Sequence, residues 1–206
     1  MFYEPAKRDR AALPHDPIKA IVAPRPIGWI STRSLDGRTN LAPYSYFNVF
    51  SGAPPIVGFS SDGMKDSATF AHESGEFVFN LASYDLLQAV SQSSAPLPRG
   101  ASEFEHTGLT MAPCNLVKAP RVKEAHASFE CKVAHFLPLL DAKGHPSANF
   151  LVIGEVVGVH IDDAFIVDGR FATAKARPLA RLGYKDYSVV DAVFELARPP
   201  GGGDGA

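Results

Sequence analysis

The sequence FLVIGEVVGVHI at residues 150–161 is the longest run of β-forming residues in the chain, and it indicates the class of fold. Valine and isoleucine dominate the run, and β-branched side chains pack well on the pleated surface of a strand. Glycines at 154 and 158 interrupt it where a β-bulge or a bend in a barrel strand is common. The run therefore predicts a long, curved strand.

Shorter apolar runs earlier in the chain predict further strands, at residues 21–32, 54–61, 76–82 and 128–137. Their apolar residues alternate with polar ones, which indicates antiparallel strands with one face in solvent. The chain has 17 glycines and 17 prolines, and these fall between the runs, as expected for many short strands.

Helical signals are few. Residues 66–74, followed by Gly75, and residues 84–93, preceded by Ser83, have the capping residues of short helices. Many strands with few helices predict a β-barrel with helical additions. A doubly wound α/β fold is disfavoured, because strands and helices do not alternate and no dinucleotide-binding glycine motif is present.

Composition narrows the possible partners. The 206 residues carry a formal net charge of −2, so nothing favours nucleic acid or an anionic membrane. No apolar run reaches the roughly 18 residues of a membrane span, and the first residues lack an apolar signal segment, which predicts a cytoplasmic protein. Cys114 and Cys131 form no CxxC motif, and both are predicted to be reduced, with Cys131 facing the core.

The pattern divides the chain into three parts. Residues 1–17 are predicted to be an extended N-terminal arm, because they are polar and rich in proline. Residues 18–198 form the barrel domain. The glycine-rich residues 199–206 are predicted to be a disordered tail.

Motifs of a catalytic nucleophile or a metal site are missing. The seven histidines are scattered without HxH or HExxH spacing, so no metal site is predicted. The chain also has no GxSxG motif and no phosphate-binding GxxxxGK[ST] motif. We therefore predict no catalytic side chain.

The segment SSDGMKDSATF at residues 60–70 follows a buried run and opens a predicted helix. Lys65 stands just before the helix, and Asp66 or Ser67 is positioned to cap it. A helix N-terminus presents unpaired N–H groups and partial positive charge, so with one lysine and one hydroxyl it makes a monophosphate site. The alternative is a plain strand–turn–helix connection with an exposed lysine.

The segment PRPIGWIST at residues 24–32 contains the single tryptophan of the chain. Gly28 leaves room for a flat ligand to approach the backbone beside Trp29. Ser31 and Thr32 end the strand with two hydroxyl groups. The alternative is an edge strand whose tryptophan lies in the core.

Two loops present aromatic surfaces. NLAPYSYFN at residues 40–48 places three aromatic rings between two asparagines, and ARLGYKDYS at residues 180–188 combines an arginine with two tyrosines. Each is alternatively a loop that only packs on the barrel. Taken with the phosphate-type segment, they suit a heteroaromatic ring with a phosphate tail, such as FMN or pyridoxal phosphate.

The chain resembles the flavin reductase-like family, whose fold is an FMN-binding split barrel. The resemblance rests on an ordered set of motifs between about residues 17 and 190: PRPIGWIST, NLAPYSYFN, PPIV, the KDS helix start, GEFVFNL, GEVVGVHID and RLGYKDYS. It implies a mainly β, Greek-key split β-barrel with a few short helices, binding FMN at the edge of a homodimer interface.

The resemblance also implies the residues that bind FMN. It assigns the phosphate to the KDS segment and the hydroxyls of the first motif, and the isoalloxazine to the aromatic loop and the neighbourhood of the tryptophan. The implied cofactor-binding residues are Trp29, Ile30, Ser31, Thr32, Tyr46, Phe47, Asn48, Ser61, Lys65, Asp66, Ser67, Arg181 and Tyr184.

The implied activity is that of an FMN-dependent oxidoreductase, in which FMN accepts a hydride from transiently bound NAD(P)H and passes electrons to flavin or another acceptor. A partner oxygenase is one such acceptor. Two alternatives share the same FMN site: an electron carrier that NAD(P)H does not reduce, and a protein that only binds a cofactor. The sequence does not choose among them.

Overall fold

The computed structural model describes residues 1–98, 101–197 and 199. The strands are β1 (Arg25–Pro26), β2 (Gly28–Arg33), β3 (Thr39–Tyr44), β4 (Phe47–Gly52), β5 (Pro55–Asp62), β6 (Glu76–Leu81), β7 (Met111–Ala112), β8 (Arg121–Val122), β9 (Ala127–Leu140), β10 (Pro146–Ile161), β11 (Ile166–Val167), β12 (Arg170–Phe171), β13 (Leu179–Arg181) and β14 (Tyr187–Val189). The α-helices are α1 (Ile18–Ile21), α2 (Asp66–Ser74), α3 (Leu87–Gln92), α4 (Glu103–Thr107) and α5 (Thr173–Ala176), and 3-10 turns are Pro5–Lys7, Tyr84–Leu86 and Asp163–Phe165.

Seven strands form the main antiparallel sheet, in the order β3-β2-β6-β9-β10-β5-β4. The longest strands, β9 and β10, pair near its middle. Their register shifts between Ile153 and Gly154 and again between Val156 and Gly158. The bulges predicted at the two glycines are therefore confirmed.

The two ends of this sheet meet through side chains and close a barrel. Tyr44 at the end of β3 packs on Phe59 of β5, with ring centroids 4.7 Å apart. Phe47 of β4 stacks on Phe79 of β6, with centroids 4.8 Å apart. The buried aromatic and aliphatic residues between them form the barrel core. A mainly β barrel with a few short helices, as predicted, is confirmed.

A second apolar cluster lies on the outer face of the sheet. Trp29, Leu41 and Val122 pack there with Val90 of α3 and Phe104 of α4. The prediction of one solvent-facing side was therefore wrong for β6, whose residues from Glu76 to Asn80 are all buried. Both faces are covered because α3, α4 and the segment after β7 pack over the sheet.

The local predictions had mixed outcomes. The helix at 66–74 is observed with these bounds, and Gly75 ends it in the left-handed conformation with φ of 70°. The predicted helix at 84–93 is a 3-10 turn followed by α3. The predicted loop at 40–48 is wrong: β3 and β4 take most of it and leave only a tight link at residues 45–46.

Residues 1–17 contain one 3-10 turn, Pro5–Lys7, and no strand. The division into arm, domain and tail stays a prediction, and of the predicted tail only Pro199 is among the described residues. Across the described ranges, every helix is too short or too polar to cross a membrane.

Candidate functional site

The N-terminus of α2 is the centre of the candidate site. The helix begins at Asp66, and among the described residues no side chain caps its first turn. The prediction that Asp66 or Ser67 would cap it was wrong, because the Ser67 hydroxyl donates instead to the side-chain oxygen of Asn40, at 2.5 Å. The first N–H groups of α2 therefore have no side-chain acceptor among the described residues, and Asp66 is the one acidic residue in the first turn.

A row of buried polar side chains lies beneath this helix terminus. Asn40 on β3 pairs directly with Thr32 on β2. Both side chains are buried, and the Thr32 Oγ1 has no hydrogen-bond partner among the described residues. Burial raises the pKa of the Tyr44 hydroxyl, with hydrogen bonds to Ser67 and Ser61 opposing that effect. Tyr44 is therefore a neutral hydroxyl at physiological pH.

An open cavity of about 450 Å³ lies over these groups. Its lining combines the start of α2, the end of β3 and the segment after α3, and consists of Asn40, Ala42, Pro43, Tyr44, Lys65, Asp66, Ser67, Ser93, Ser94, Ala95, Pro96, Leu97 and Glu103. Lys65 is exposed and is the one cation in this lining. The Glu103 carboxylate accepts the Leu41 N–H at 3.0 Å, so it is held by β3.

The aromatic loop divides between core and surface. Phe47 is buried, and a Cβ added to Gly28 would lie 2.5 Å from its ring, so Phe47 fills the space that the glycine was expected to leave for a ligand. Tyr46 is 46% exposed, and the Lys19 ammonium lies 5.6 Å from its ring centroid. Asn48 is exposed, and its side-chain oxygen accepts the N–H of the next residue at 2.8 Å.

The late loop lies against α1. The Arg181 guanidinium donates to the carbonyls of Asp186 at 3.1 Å and Tyr184 at 2.6 Å, which fixes the loop. Tyr184 is 52% exposed, with φ of 53°. Gly183 packs so closely on Ala20 that no Cβ would fit. Ala20 of α1 therefore contacts the late loop beside Tyr184, and the neighbouring Lys19 contacts Tyr46. Through these two residues α1 connects the late loop to the aromatic loop.

All four predicted site residues on β2, namely Trp29, Ile30, Ser31 and Thr32, have fully buried side chains, and the first three make contacts within the chain. The Trp29 indole N–H donates to Ser93 Oγ at 2.9 Å, behind the wall of the cavity. Ile30 belongs to the barrel core. Ser31 donates to the Pro120 carbonyl at 2.5 Å. Their contribution to cofactor binding stays a prediction, and within this chain these side chains pack and hydrogen-bond internally.

The structure thus brings together one part of the predicted set. Lys65, Asp66 and Ser67 line the cavity at α2, whereas Thr32 is buried beside Asn40 and does not line it. Ser61 is buried and donates to the Gly63 carbonyl at 2.9 Å. The aromatic loop and the late loop form a second group around α1. Sequence reasoning missed the segment from Ser93 to Leu97 that forms one wall of the cavity. Its sequence, SSAPL, carries no recognisable motif.

The chain's thiols are not poised as nucleophiles. Burial, with the nearby Glu130 carboxylate adding to it, raises the pKa of Cys114 to about 12. Burial also raises the pKa of Cys131, whose side chain lies in the barrel core. Both cysteines are free, as predicted. Neither cysteine lines the cavity at α2.

Comparison with known proteins identifies relatives over most of the chain. The model of the flavin reductase like domain matches residues 22–178. An uncharacterized protein of Halalkalibacterium halodurans is 39% identical over 183 residues, covering 86% of this chain and 87% of that protein.

Solved structures resemble the whole chain. Nitrilotriacetate monooxygenase component B from Bacillus cereus has a TM-score of 0.86 at 29% identity, covering 95% of this chain and 98% of that one. A putative flavin reductase with a split barrel domain from Shewanella frigidimarina has a TM-score of 0.83 at 24% identity, covering 97% and 100%. The second likeness confirms the predicted split-barrel fold.

Proposed function

The chain belongs to the flavin reductase-like domain family, and from this membership and the site at α2 we propose that it is an oxidoreductase that binds FMN non-covalently. When bound, FMN supplies the redox chemistry, taking a hydride from NADH or NADPH and delivering electrons to an acceptor. The observation that carries the proposal is the uncapped N-terminus of α2, beside a lysine and buried hydroxyls, in a chain of this family.

The residues present fit a monophosphate. The first N–H groups of α2 lack a side-chain acceptor, and an anion at a helix N-terminus receives both hydrogen bonds and dipole stabilisation. The Thr32 hydroxyl is buried without a partner nearby. Lys65 makes no ion pair with any described residue and is free to reach a phosphate.

Charge makes Lys65 the critical residue of this group. The cavity lining holds two carboxylates, Asp66 and Glu103, against the one lysine. Apart from Lys65, the groups that would bind the phosphate are therefore neutral hydrogen-bond donors, namely N–H groups and hydroxyls. These donors are fixed in place before a ligand arrives. Such preorganised donors lose little entropy on binding.

The exposed aromatic residues fit a planar ring. Tyr46 and Tyr184 are both about half exposed and are joined through α1. We propose that this surface lies beside the isoalloxazine and leaves one side open to a nicotinamide. The similarity to a monooxygenase component B supports a partner oxygenase as one acceptor.

Cofactor identity and reduction test this proposal directly. The purified protein is expected to show an oxidised flavin spectrum and to release about one FMN per chain on denaturation. Anaerobic addition of NADH or NADPH should bleach that spectrum. Stoichiometric FAD, a pyridoxal derivative or haem would refute the FMN assignment.

The same experiment separates the alternative function. If FMN is present but neither nucleotide bleaches it, while a chemical reductant does, the protein is an electron carrier rather than a reductase. Reduction by one nucleotide at a rate that saturates with its concentration supports the enzyme.

We also propose a homodimer in the cytoplasm. The edge strand β4 exposes Val49 and Phe50, at 60% and 55%. An exposed apolar edge strand is a template for pairing with another chain, and a second copy of this chain would cover it. Light scattering should report two chains per particle, and Phe50→Glu should shift it to one. A wild-type monomer with full FMN occupancy would contradict this proposal.

A further inference from the structure

A β-bulge brings two titratable side chains together on the outer face of the sheet. The register shift after Val156 places Gly158 opposite Glu130 and His160 opposite Ser128. A Cβ at Gly158 would lie 3.3 Å from Cδ of Glu130, so the glycine leaves the space beside the carboxyl group. Nε2 of His160 lies 2.6 Å from Oε1 of Glu130 as a result. Bulges commonly re-aim side chains at functional positions.

Main-chain donors hold the Glu130 carboxylate in one orientation. Oε1 accepts the Asn115 N–H at 2.8 Å, and Oε2 accepts the N–H groups of Leu116 at 2.6 Å and Val117 at 3.0 Å. The glutamate is only 1% exposed. Carboxylates that bind metals in proteins are themselves oriented by such hydrogen bonds.

The loop that supplies these donors also supplies a thiol. Cys114 precedes Asn115, and one donor atom each from Cys114, Glu130 and His160 lie within 4.8 Å of one another. This is the one cluster of three potential metal ligands found in the described part of the chain. Ligands of a tetrahedral metal, with bonds of about 2.0–2.3 Å, are separated by roughly 3–4 Å. The 2.6 Å hydrogen bond between Nε2 of His160 and Oε1 of Glu130 must therefore open to about that separation for an ion to bind between the two side chains.

We propose that Cys114, Glu130 and His160 bind a divalent metal ion of the zinc type, independently of the proposed flavin site. Sulfur, imidazole nitrogen and carboxylate oxygen are the ligands that zinc takes in proteins, whereas magnesium and calcium prefer oxygen alone. Binding releases the thiol proton of Cys114 although burial raises its pKa, because a coordinating thiol is deprotonated by the charge of the ion, and binding also requires the ring proton of His160 on Nδ1. No oxidation or reduction is involved.

Solvent reaches the cluster from two sides. His160 lines a cavity of about 660 Å³, and Cys114 lines a different cavity of about 660 Å³. Neither cavity includes Lys65, Asp66 or Ser67. A water molecule from either cavity can complete four ligands. The ion would tie the 114–117 loop to both central strands.

Cobalt(II) is the probe for this proposal, because it replaces zinc and is coloured. Titration of the chelator-treated full chain should give one Co²⁺ per chain, with absorbance bands in the red, where oxidised flavin does not absorb, and a thiolate charge-transfer band. Zn²⁺ should displace it. Cys114→Ser and His160→Gln should each weaken binding at least tenfold, since loss of even a residue that only orients a ligand costs about 10- to 100-fold.

His145→Gln is the matched control. His145 pairs with Asp141 at 3.2 Å on the exposed β9–β10 turn, without a nearby cysteine, and its loss should leave Co²⁺ binding unchanged. Absence of the bands in the wild type, or their survival in Cys114→Ser, overturns the proposal. Circular dichroism tests whether each variant is folded. If Cys114→Ser does not fold, Co²⁺ binding by His160→Gln decides whether the proposal stands.

Discussion

The Ser67 hydroxyl donates a 2.5 Å hydrogen bond to the side-chain oxygen of Asn40, which ties the first turn of α2 to strand β3. Ser67 is 1% exposed and Asn40 is 5% exposed, so this bond satisfies two nearly buried groups. The bond explains why Ser67 does not cap its own helix. It also fixes the position of the helix terminus above the barrel.

Ser67→Ala should therefore cost both stability and cofactor affinity. Loss of the donor leaves a buried amide oxygen unpaired, which costs about 1–3 kcal/mol. We expect a melting temperature several degrees lower and weaker FMN binding, measured by thermal denaturation and flavin titration. Ser94→Ala removes an exposed serine from the same cavity and should leave the melting temperature unchanged. Equal stabilities for the two variants would contradict the role given to Ser67.

Lys65→Ala tests the charge of the phosphate site alone. A charge-assisted hydrogen bond contributes about 1.5–3 kcal/mol, so FMN affinity should fall by about one to two decades. The stability of the apo-protein should not change, because the side chain is exposed. Lys143→Ala, on the exposed β9–β10 turn, is the control. Unchanged affinity would mean that other groups hold the phosphate.

Arg25 connects the two segments that carry the second group of site residues. Its buried guanidinium donates to the carbonyl of Lys19 in α1 and to that of Val22 at the end of α1. It also donates to the carbonyl of Leu182 in the late loop. Arg25→Met keeps the length but removes these donors. We expect faster hydrogen exchange in residues 18–22 and 182–186, and a stability loss of about 2–4 kcal/mol.

Arg170→Met is the control for that variant. Arg170 is exposed and its guanidinium pairs with Glu195 at 3.3 Å, outside both segments in sequence, so exchange in both segments should match the wild type. Exchange in Arg25→Met that rises uniformly over the whole chain would indicate global destabilisation. That result would remove Arg25 as the link between α1 and the late loop.

The features of the fold that depend on a local sequence pattern could be predicted from the sequence. The glycines at 154 and 158 marked the two bulges, and α2 has the predicted bounds because its capping glycine acts locally. The strand pairing of residues 40–48 was not predictable, because polar side chains there are satisfied by distant groups, as Asn40 is by Ser67.

The candidate site shows the same division. Lys65, Asp66 and Ser67 are contiguous, so their shared position at the site could be predicted from the sequence. The Ser93–Leu97 wall could not, because that segment has no motif. The cluster of Cys114, Glu130 and His160 was also hidden, since its members lie far apart in sequence and meet only through the bulge. A motif of fixed residue spacing can reveal a site whose residues lie on one helix, strand or loop. It cannot reveal a site whose residues come together only when distant strands pair.

Glu130 should make stability depend on pH in the acid range. Burial acts to raise its pKa, but the N–H groups of the 115–117 loop and His160 outweigh burial and hold the pKa below its usual range. A carboxylate with a lowered folded pKa stabilises the protein fully above its unfolded pKa. That stabilisation is lost as pH falls through the folded pKa.

Glu130→Gln should thus be less stable than the wild type by about 1.5–3 kcal/mol at neutral pH. The difference should shrink as the solution is acidified, measured by denaturant unfolding at a series of pH values. Glu124→Gln removes an exposed carboxylate that also accepts a backbone N–H, at 3.0 Å, and should change stability little. A Glu130→Gln deficit that is constant with pH would contradict the lowered pKa.

Trp29→Phe separates a ligand-contacting tryptophan from a core one. The indole is fully buried, packs with Val90 and Phe104, and donates to Ser93. Loss of ring volume and of that hydrogen bond should lower stability by about 1–3 kcal/mol, while the flavin spectrum and its reduction rate stay unchanged. Phe104→Leu, in the same cluster, should also lower stability and leave the flavin spectrum unchanged. A shifted flavin spectrum in Trp29→Phe but not in Phe104→Leu would place the indole against the cofactor and contradict its assignment to the core.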